Sequence, residues 1–372
     1  MTVQDIGANV RRHMKLAGMT IQELADKSGL AVGALSNILN GKSEPRSSTL
    51  IKICDALDVT IAEILAETPR LRTLRFRTQK NLSGREKAER DQIKHETGLW
   101  LRDYRELESI AGEHRDFFFA GYRESDPDVA ANYLRLKLEL SETEPISDIA
   151  VLLDDIGVKL RLKGFGFKRT NGFSVGESDG GPAIVVNCEK GLSIERQIFT
   201  AAHELGHLVL HGESYGKDED GENQDEEQQA NRFAGAFLLP TAGLQKEWES
   251  RAGNDWIDRI LLIKKVFKVS YQTVIYRLQQ VYDSMKDRNL RLVFAIEYKR
   301  KTGHDLKDHY EPDPVAEWEI DGLSRYDFVE SRFRRLVRIA YEREEISISR
   351  AAEILCIDLS DIRELARSWK SL

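Results

Sequence analysis

The run Phe199-Thr200-Ala201-Ala202-His203-Glu204-Leu205-Gly206-His207-Leu208-Val209-Leu210 determines the fold of the middle of this chain. Its small and apolar residues predict a largely buried helix. His203 and His207 are one helical turn apart, so both imidazoles face the same way and can bind one metal ion. Glu204 can take a proton from an attacking water and pass it to a leaving amine. Because burying these three groups without a metal would be costly, the motif predicts a metal-dependent hydrolase rather than an ordinary helix.

A second amphipathic helix is predicted within the run from Asp225 to Pro240, because its apolar residues recur at helical spacing. Glu227 lies in its first turn and is the predicted third ligand. Asn231, one turn later on the same face, is predicted to orient a ligand side chain. Glu226 is the rival for the ligand role. The acidic residues from Asp218 to Asp225 are interpreted as a solvated segment leading to a helix N-terminus, where carboxylates are favoured.

Two further residues near the motif, His211 and Glu213, lie at positions where a third ligand could be expected. His211 lies on the face of the two histidines, but at about 1.5 Å per residue it would be roughly 12 Å from His203, too far to share one ion. We predict instead that Gly212 stops the helix and that His211 stabilises its C-terminus. Metzincins carry a third histidine six residues beyond the second, where this chain has Glu213. Two histidines and one glutamate on zinc are therefore the better interpretation.

The motifs that carry a family resemblance lie between about residues 126 and 245: Arg196 to Thr200, His203 to His207, Glu227, Ala230-Asn231, Phe233-Ala234 and Leu238-Leu239-Pro240. This stretch resembles the ImmA/IrrE family of bacterial metallo-endopeptidases. The resemblance implies zinc held by His203, His207 and Glu227, with Glu204 as general base. It also implies substrates among regulatory proteins, usually DNA-binding repressors cut at limited sites. Gln228-Gln229 departs from the pattern, since relatives often carry another acid there, and the choice between Glu226 and Glu227 stays open.

The N-terminal residues 6 to 65 read as a string of short helices. Thr20 and Glu23 have the spacing of a capping box, and the turn Ser28-Gly29-Leu30 separates this helix from a second one, which ends at Gly41. Two helices joined by such a turn predict a helix-turn-helix, whose second helix enters the DNA major groove. The pattern is similar to the Cro/repressor-like family often labelled XRE, and the predicted core residues are Ala25, Leu30, Leu35 and Ile38.

The predicted DNA contacts are the polar or small positions outside that core. Gln22 is expected to bond a phosphate, and Lys42 and Arg46 to contact the backbone. The residues expected to face the groove are Ala31, Val32, Gly33, Ser36 and Asn37. Because this surface has little Arg or Gln, its sequence preference cannot be predicted. The alternative is a small helical dimerisation domain with the same fold.

Composition limits the remaining choices. With 372 residues, of which 41% are hydrophobic, the chain can bury two or three cores. A net charge of −7 means that DNA affinity must come from local patches or dimerisation. Cys54, Cys188 and Cys356 are too scattered for a disulfide framework or a thiolate metal site, which indicates a reducing compartment. No signal peptide or membrane-spanning stretch is recognised, so a cytoplasmic protein is expected.

We therefore predict a mainly α (α+β) chain with a small sheet. The predicted segments are a five-helix Cro/repressor-like helix-turn-helix domain at 1–67, a helical arm at 68–125, a zincin-like peptidase domain at 126–290, and a helical regulatory domain at 291–372. Two more helix-turn-helix-shaped patterns, near Leu261 to Leu278 and Ile346 to Leu355, are interpreted as structural and as regulatory or docking elements, respectively.

The predicted function is a DNA-binding regulator that also carries a zinc-dependent endopeptidase. Its expected partners are double-stranded operator DNA and a protein substrate, namely a helix-turn-helix repressor or an antitoxin-like protein cut in response to stress or a mobile-element signal. No membrane partner is expected, and a homodimer is compatible with the sequence. The alternative is a repressor whose peptidase-like domain is a non-cleaving sensor or interaction module.

Overall fold

A computed structural model describes residues 3–65, 71, 73–76, 84–166, 170–215, 223–286, 288–306, 323–324 and 326–369. The chain forms two compact units. The first unit comprises Met1–Arg72, Asn81–His114 and Ser331–Leu372, and the second unit comprises Thr73–Lys80 and Arg115–Glu330. The predicted mainly α class with a small sheet is confirmed.

The first unit is entirely helical in its described residues. Its helices are α1 (Val3–Leu16), α2 (Ile21–Ser28), α3 (Val32–Leu39), α4 (Ser47–Leu57), α5 (Ile61–Ile64), α6 (Gly84–Ala111), α15 (Arg332–Glu342), α16 (Ile348–Leu355) and α17 (Leu359–Trp369). Helices α1 to α5 enclose one apolar core, in which Leu24, Leu35 and Ile53 are fully buried. These are the five helices predicted for the N-terminal domain.

Local signals set the ends of α2 as predicted. The Thr20 hydroxyl accepts a bond from the Glu23 backbone N–H, and the Glu23 carboxylate accepts one from the Thr20 backbone N–H, which is a capping box. That backbone bond holds the pKa of the Glu23 carboxyl below its usual value. Gly29 ends the helix at φ 66°, a left-handed conformation that costs glycine little. Of the predicted core residues, Ala25, Leu35 and Ile38 are buried, and Leu30 is half-buried against them.

Aromatic packing and buried ion pairs join the C-terminal helices to α6. The Phe333 ring of α15 stacks on Tyr104 of α6 with centroids 5.2 Å apart. Arg332 forms a buried ion pair with Glu108 at 2.9 Å. The chain segments that meet here are more than 200 residues apart, so local periodicity carries no sign of the contact.

The two units differ from the four predicted segments. The predicted C-terminal domain at 291–372 is divided, because its last helices belong to the first unit while α14 (Leu290–Thr302) belongs to the second. The predicted arm at 68–125 contains one long helix, α6, and a short strand that was not predicted. The boundary predicted after residue 67 lies outside the described residues.

The second unit combines one sheet with a layer of helices. Its strands are β1 (Leu74–Phe76), β2 (Lys159–Lys163), β3 (Gly172–Val175) and β4 (Ala183–Asn187). Its helices, apart from α14, are α7 (Pro127–Lys137), α8 (Ile149–Asp155), α9 (Ile194–Leu210), α10 (Gln224–Leu238), α11 (Thr241–Ser250), α12 (Trp256–Phe267) and α13 (Tyr271–Val281). The turn between α12 and α13 has Lys268 in a left-handed conformation and Ser270 as N-cap, giving the predicted helix-turn-helix shape.

The strand order in the sheet is β1-β3-β4-β2. Strands β2 and β4 are parallel, and β3 is antiparallel to both β4 and β1. Leu74 pairs with Val175, so residues that follow the helix-turn-helix region in sequence form the edge strand of this sheet. All the residues of β3 and β4 are buried, because α9 packs against both strands.

Helix α10 packs closely along α9. A Cβ atom added at Gly206 would lie 2.9 Å from the Phe233 ring, nearer than a side-chain carbon can approach. Glycine at this position therefore lets the two helices approach closely. No helix among the described residues is long and apolar enough to cross a membrane.

Candidate metal centre

Helix α9 carries the predicted catalytic motif through the interior of the second unit. The Ser193 hydroxyl caps its N-terminus by accepting a bond from the Arg196 backbone N–H. His203, Glu204 and His207 are only 3%, 2% and 2% exposed, respectively. Three ionisable groups are therefore shielded from water in a largely buried helix, as the sequence predicted.

The third predicted ligand arrives from the first turn of α10. The two carboxylate oxygens of Glu227 lie 3.4 Å from His203 Nε2 and 3.2 Å from His207 Nε2. The two Nε2 atoms are 3.1 Å apart. One potential ligand atom from each of the three residues lies within 4.8 Å of the others, so this group could hold a metal ion.

The electrostatics favour Glu227 in its charged form. Burial alone would raise the pKa of its carboxyl, but hydrogen bonds and charge from His203 and His207 outweigh burial and hold that pKa well below its usual value. The rival, Glu226, instead accepts a bond from the Ser214 hydroxyl at 2.9 Å. The convergent group thus contains Glu227 and not Glu226.

Asn231 lies beside the first histidine. Its Oδ1 atom is 3.0 Å from His203 Nδ1 and can only accept a hydrogen bond. With a cation at the site, His203 would carry its proton on Nδ1 toward Asn231, and its Nε2 lone pair would face the cation. The structure thus places Asn231 beside His203, where the predicted orienting role requires it.

The second histidine has a different neighbour. His207 Nδ1 lies 3.0 Å from Nδ1 of His211, the C-cap residue of α9. The other ring nitrogen of His211 lies 2.9 Å from Gln229 Oε1 on α10. His211 is thus at the helix end, as predicted, but it also contacts a candidate ligand.

The general base candidate is held from the sheet side. The Ser174 hydroxyl on β3 donates to Glu204 Oε2 at 2.6 Å, and the Tyr215 hydroxyl donates to Ser174 Oγ at 2.7 Å. Ser174 is fully buried. Glu204 is therefore fixed by a strand and not only by its own helix.

A cleft of about 1300 Å³ opens beside these residues. His203 and Glu204 form part of its wall. The first turn of α13 contributes Tyr271, Gln272 and Thr273, so the helix-turn-helix shape of α12 and α13 is used here to line the cleft. The cleft is large enough to admit a peptide segment.

The predicted DNA-reading residues lie in α2, at the start and in the second half of α3, and in the α3–α4 connection. The exposed ones are Gln22, Ala31, Val32, Gly33, Asn37, Lys42 and Arg46. Ser36 is half-buried and accepts a bond from Asn40 at 3.3 Å, and Gln22 donates to Asp26 at 3.1 Å. The buried face of the helix, Leu35, Ile38 and Leu39, points into the core. The exposed end of α3 is thus available to a groove.

Two family models match separate parts of the chain. Residues 10–64 match the model described as Helix-turn-helix, and residues 153–279 match the IrrE N-terminal-like domain. The chain joins a helix-turn-helix DNA-binding domain to an IrrE-like domain. The predicted combination is confirmed, and the convergent His203, His207 and Glu227 lie within the IrrE-like domain.

Similar proteins include regulators. The transcriptional regulator ClgR from two strains of Mycobacterium tuberculosis is 32% identical over 66 residues, which are 18% of this chain and 59% of each relative. The chain thus spans 59% of the length of these curated relatives. A Mycobacterium tuberculosis transcriptional regulator structure is 21% identical over 46% of this chain and 52% of that chain, with TM-score 0.31. ComR from Streptococcus suis is 13% identical, covering 100% and 96% of the two chains, with TM-score 0.17.

Sequence reasoning missed four residues of the IrrE-like site: Ser174, Tyr215, His211 as a contact of His207, and Gln229. Ser174 is 30 residues from Glu204, so only the sheet brings the two together. Gln229 departs from the family pattern that the sequence resembles. Its position, two residues after Glu227 and two before Asn231, was the available signal.

Proposed function

We propose that this protein is a DNA-binding regulator whose IrrE-like domain is a zinc-dependent endopeptidase. The observation that carries the proposal is the convergence of His203, His207 and Glu227, with His203 and Glu204 in the wall of the cleft. Two neutral imidazole nitrogens and one carboxylate are a donor set that zinc takes in catalytic sites, leaving a position for water or substrate. The residues present therefore fit zinc.

Each residue has a role in this mechanism. Zinc, when bound, would polarise the peptide carbonyl and lower the pKa of water. Glu204 takes a proton from the attacking water and delivers it to the leaving amine. Ser174 keeps the Glu204 carboxylate in place, and Asn231 keeps the His203 lone pair directed at the site. The cleft binds an extended segment of the substrate and excludes bulk water from the scissile bond.

The proposed substrate is a regulatory protein, with a helix-turn-helix repressor or antitoxin-like protein as the first candidate. The support is the helix-turn-helix domain in the same chain, which would bring the peptidase to the operators where such proteins act. The proposed trigger is a stress or mobile-element signal. The proposed DNA contacts are the exposed residues at the start of α3, with Lys42 and Arg46 on the phosphates.

The test is the Glu204→Gln variant, incubated with the products of the neighbouring genes, any small helix-turn-helix protein among them being tested first. Zinc content should equal that of the unmodified protein, because Glu204 is outside the ligand group, while cleavage should disappear. Glu213→Gln, which changes an exposed carboxylate six residues beyond His207, is the matched control and should cleave normally. Unchanged cleavage by the Glu204 variant would remove this mechanism. Zinc binding without cleavage of any neighbour would favour the non-cleaving sensor.

A further inference from the structure

Three side chains form a continuous hydrogen-bonded path that ends at His207. Gln229 on α10 contacts the Nε2 atom of His211, and the Nδ1 atom of His211 contacts Nδ1 of His207. Gln229 and His211 are on the Nδ1 side of the His207 ring, whereas the Glu227 carboxylate faces Nε2. These two residues are therefore outside the ligand group, and His211 contacts it directly.

The direction of each bond follows from the chemistry of the groups. The Oε1 atom of Gln229 can only accept, so His211 donates from Nε2. A neutral imidazole has one N–H and one lone pair, so Nδ1 of His211 must accept. His207 then donates from Nδ1, so that with a cation between Nε2 and Glu227 its lone pair on Nε2 would face that cation. One amide oxygen thereby sets the proton positions on two successive rings.

Because both rings are buried, the acceptor for the Nδ1 proton of His207 is His211 rather than bulk water. His207 is 2% exposed and His211 is 7% exposed, so bulk water has little access to the contact between the two rings. A buried N–H that loses its partner is costly, which would favour the other tautomer of His207. The tautomer that can bind a cation is stabilised when His211 accepts from Nδ1 of His207.

We propose that His211 and Gln229 are positioning residues that hold His207 with its Nε2 lone pair directed at the metal site. The inference rests on the proposed zinc site and deepens it. Asn231 serves His203 in the same way, so α10 supplies the ligand Glu227 and, two residues and four residues later, the supports for both histidines. The metal affinity therefore depends on the position of α10 relative to α9.

Zinc affinity of the full chain, measured by competition with a chromophoric chelator, tests the proposal without any protein substrate. His211→Leu fills much of the same volume but offers no acceptor, and zinc binding should weaken by about 10–100-fold. His211→Asn places an oxygen where Nδ1 was and should recover most of that loss. His304→Ala removes an exposed imidazole elsewhere in the second unit and should leave the affinity unchanged. Equal affinities for His211→Leu and the unmodified protein, or equal losses for Leu and Asn, would overturn the proposal.

Nitrogen-15 spectra of the histidine rings in the zinc-loaded protein give an independent readout. The Nδ1 proton of His207 should be protected from exchange with solvent, and this protection should fall in His211→Leu and in Gln229→Leu. Equal exchange in the unmodified protein and in His211→Leu would contradict the proposal. If the unmodified protein binds zinc but cleaves no substrate, the proposed function fails, while the affinities and these spectra still decide the role of His211.

Discussion

The Oγ atom of Ser174 lies 2.6 Å from Oε2 of Glu204, so strand β3 contacts the residue that lies between the two histidines of α9. Ser174 is fully buried, and its own oxygen accepts a bond from Tyr215. The bond to one carboxylate oxygen restricts the rotation of the Glu204 carboxylate. A residue of the sheet thus holds the candidate general base in position.

Ser174→Ala should lower the rate of substrate cleavage by about 10–100-fold while leaving zinc content unchanged, because it frees the Glu204 carboxylate without touching a ligand. Ser174→Thr keeps a hydroxyl and should recover part of the rate. Ser178→Ala, at an exposed serine of the same unit, is the control. Steady-state cleavage and zinc stoichiometry are the measurements. A normal rate for Ser174→Ala would show that Glu204 does not need this contact.

Glu227→Gln should abolish stoichiometric zinc binding, and Glu226→Gln should retain it. The reason is geometric, since only Glu227 reaches both imidazoles, while Glu226 bonds Ser214. Metal analysis after dialysis measures the difference. The reverse result would move the ligand role to Glu226.

Removal of zinc by a chelator should lower the stability of the second unit. A ligand that binds only the folded state at 100 times its dissociation constant adds about 2.7 kcal/mol. Thermal unfolding with and without the chelator should therefore show a lower midpoint without metal, restored by added zinc. His207→Ala should show no response to the chelator, and a response as large as that of the unmodified protein would contradict the proposed site.

Asp103→Ala should destabilise the first unit. Asp103 is buried and accepts from Arg12 on α1 at 3.0 Å and from Arg350 on α16 at 2.9 Å. Removing one partner of such a buried group costs roughly 3 kcal/mol, because the remaining charges lose their compensation. Glu106→Ala removes a more exposed partner of Arg350 and should cost less than about 1 kcal/mol. Denaturant unfolding of the full chain measures both, and equal costs would contradict the role given to Asp103.

Arg46→Ala and Asn37→Ala should impair DNA binding in different ways. Loss of a phosphate contact at Arg46 should weaken binding to all DNA sequences equally. It should also reduce the slope of the logarithm of affinity against the logarithm of salt concentration by about one. Loss of a groove contact at Asn37 should lower discrimination between operator and random DNA by about 1–3 kcal/mol. Both effects are measured with a DNA fragment that has been selected for binding to the unmodified protein. Affinities for this fragment and for random DNA are compared over a range of salt concentrations. Lys190→Ala, in the second unit, is the charge control.

Local patterns predicted much of the fold. The capping box at Thr20, the glycine stop at Gly29 and the helical spacing after Asp225 are each encoded within a few residues, and each is present in the structure. The spacing of His203 and His207 likewise placed both imidazoles on one face. Glu227 followed from a helix start and a family resemblance together.

Long-range relationships could not be predicted in this way. Ser174 meets Glu204 only because β3 packs on α9, and Phe333 meets Tyr104 across 228 intervening positions of sequence that include another unit. His211 lies at the end of α9, as predicted, but its contact with His207 was not predicted. The spacing of apolar residues shows which face of a helix or strand a residue lies on. It carries no information about which distant side chain packs against that face.

The route of the polypeptide has a consequence for how the protein can be dissected. The chain passes between the two units four times, and both of its ends belong to the unit that contains the DNA-reading helix. A frameshift or stop codon in the last forty or so codons would therefore damage the operator-binding half rather than shorten a dispensable tail. Conversely, proteolytic cleavage at one connection between the units would leave the first unit formed by separate segments that still pack together. DNA binding therefore need not be lost with the first cleavage.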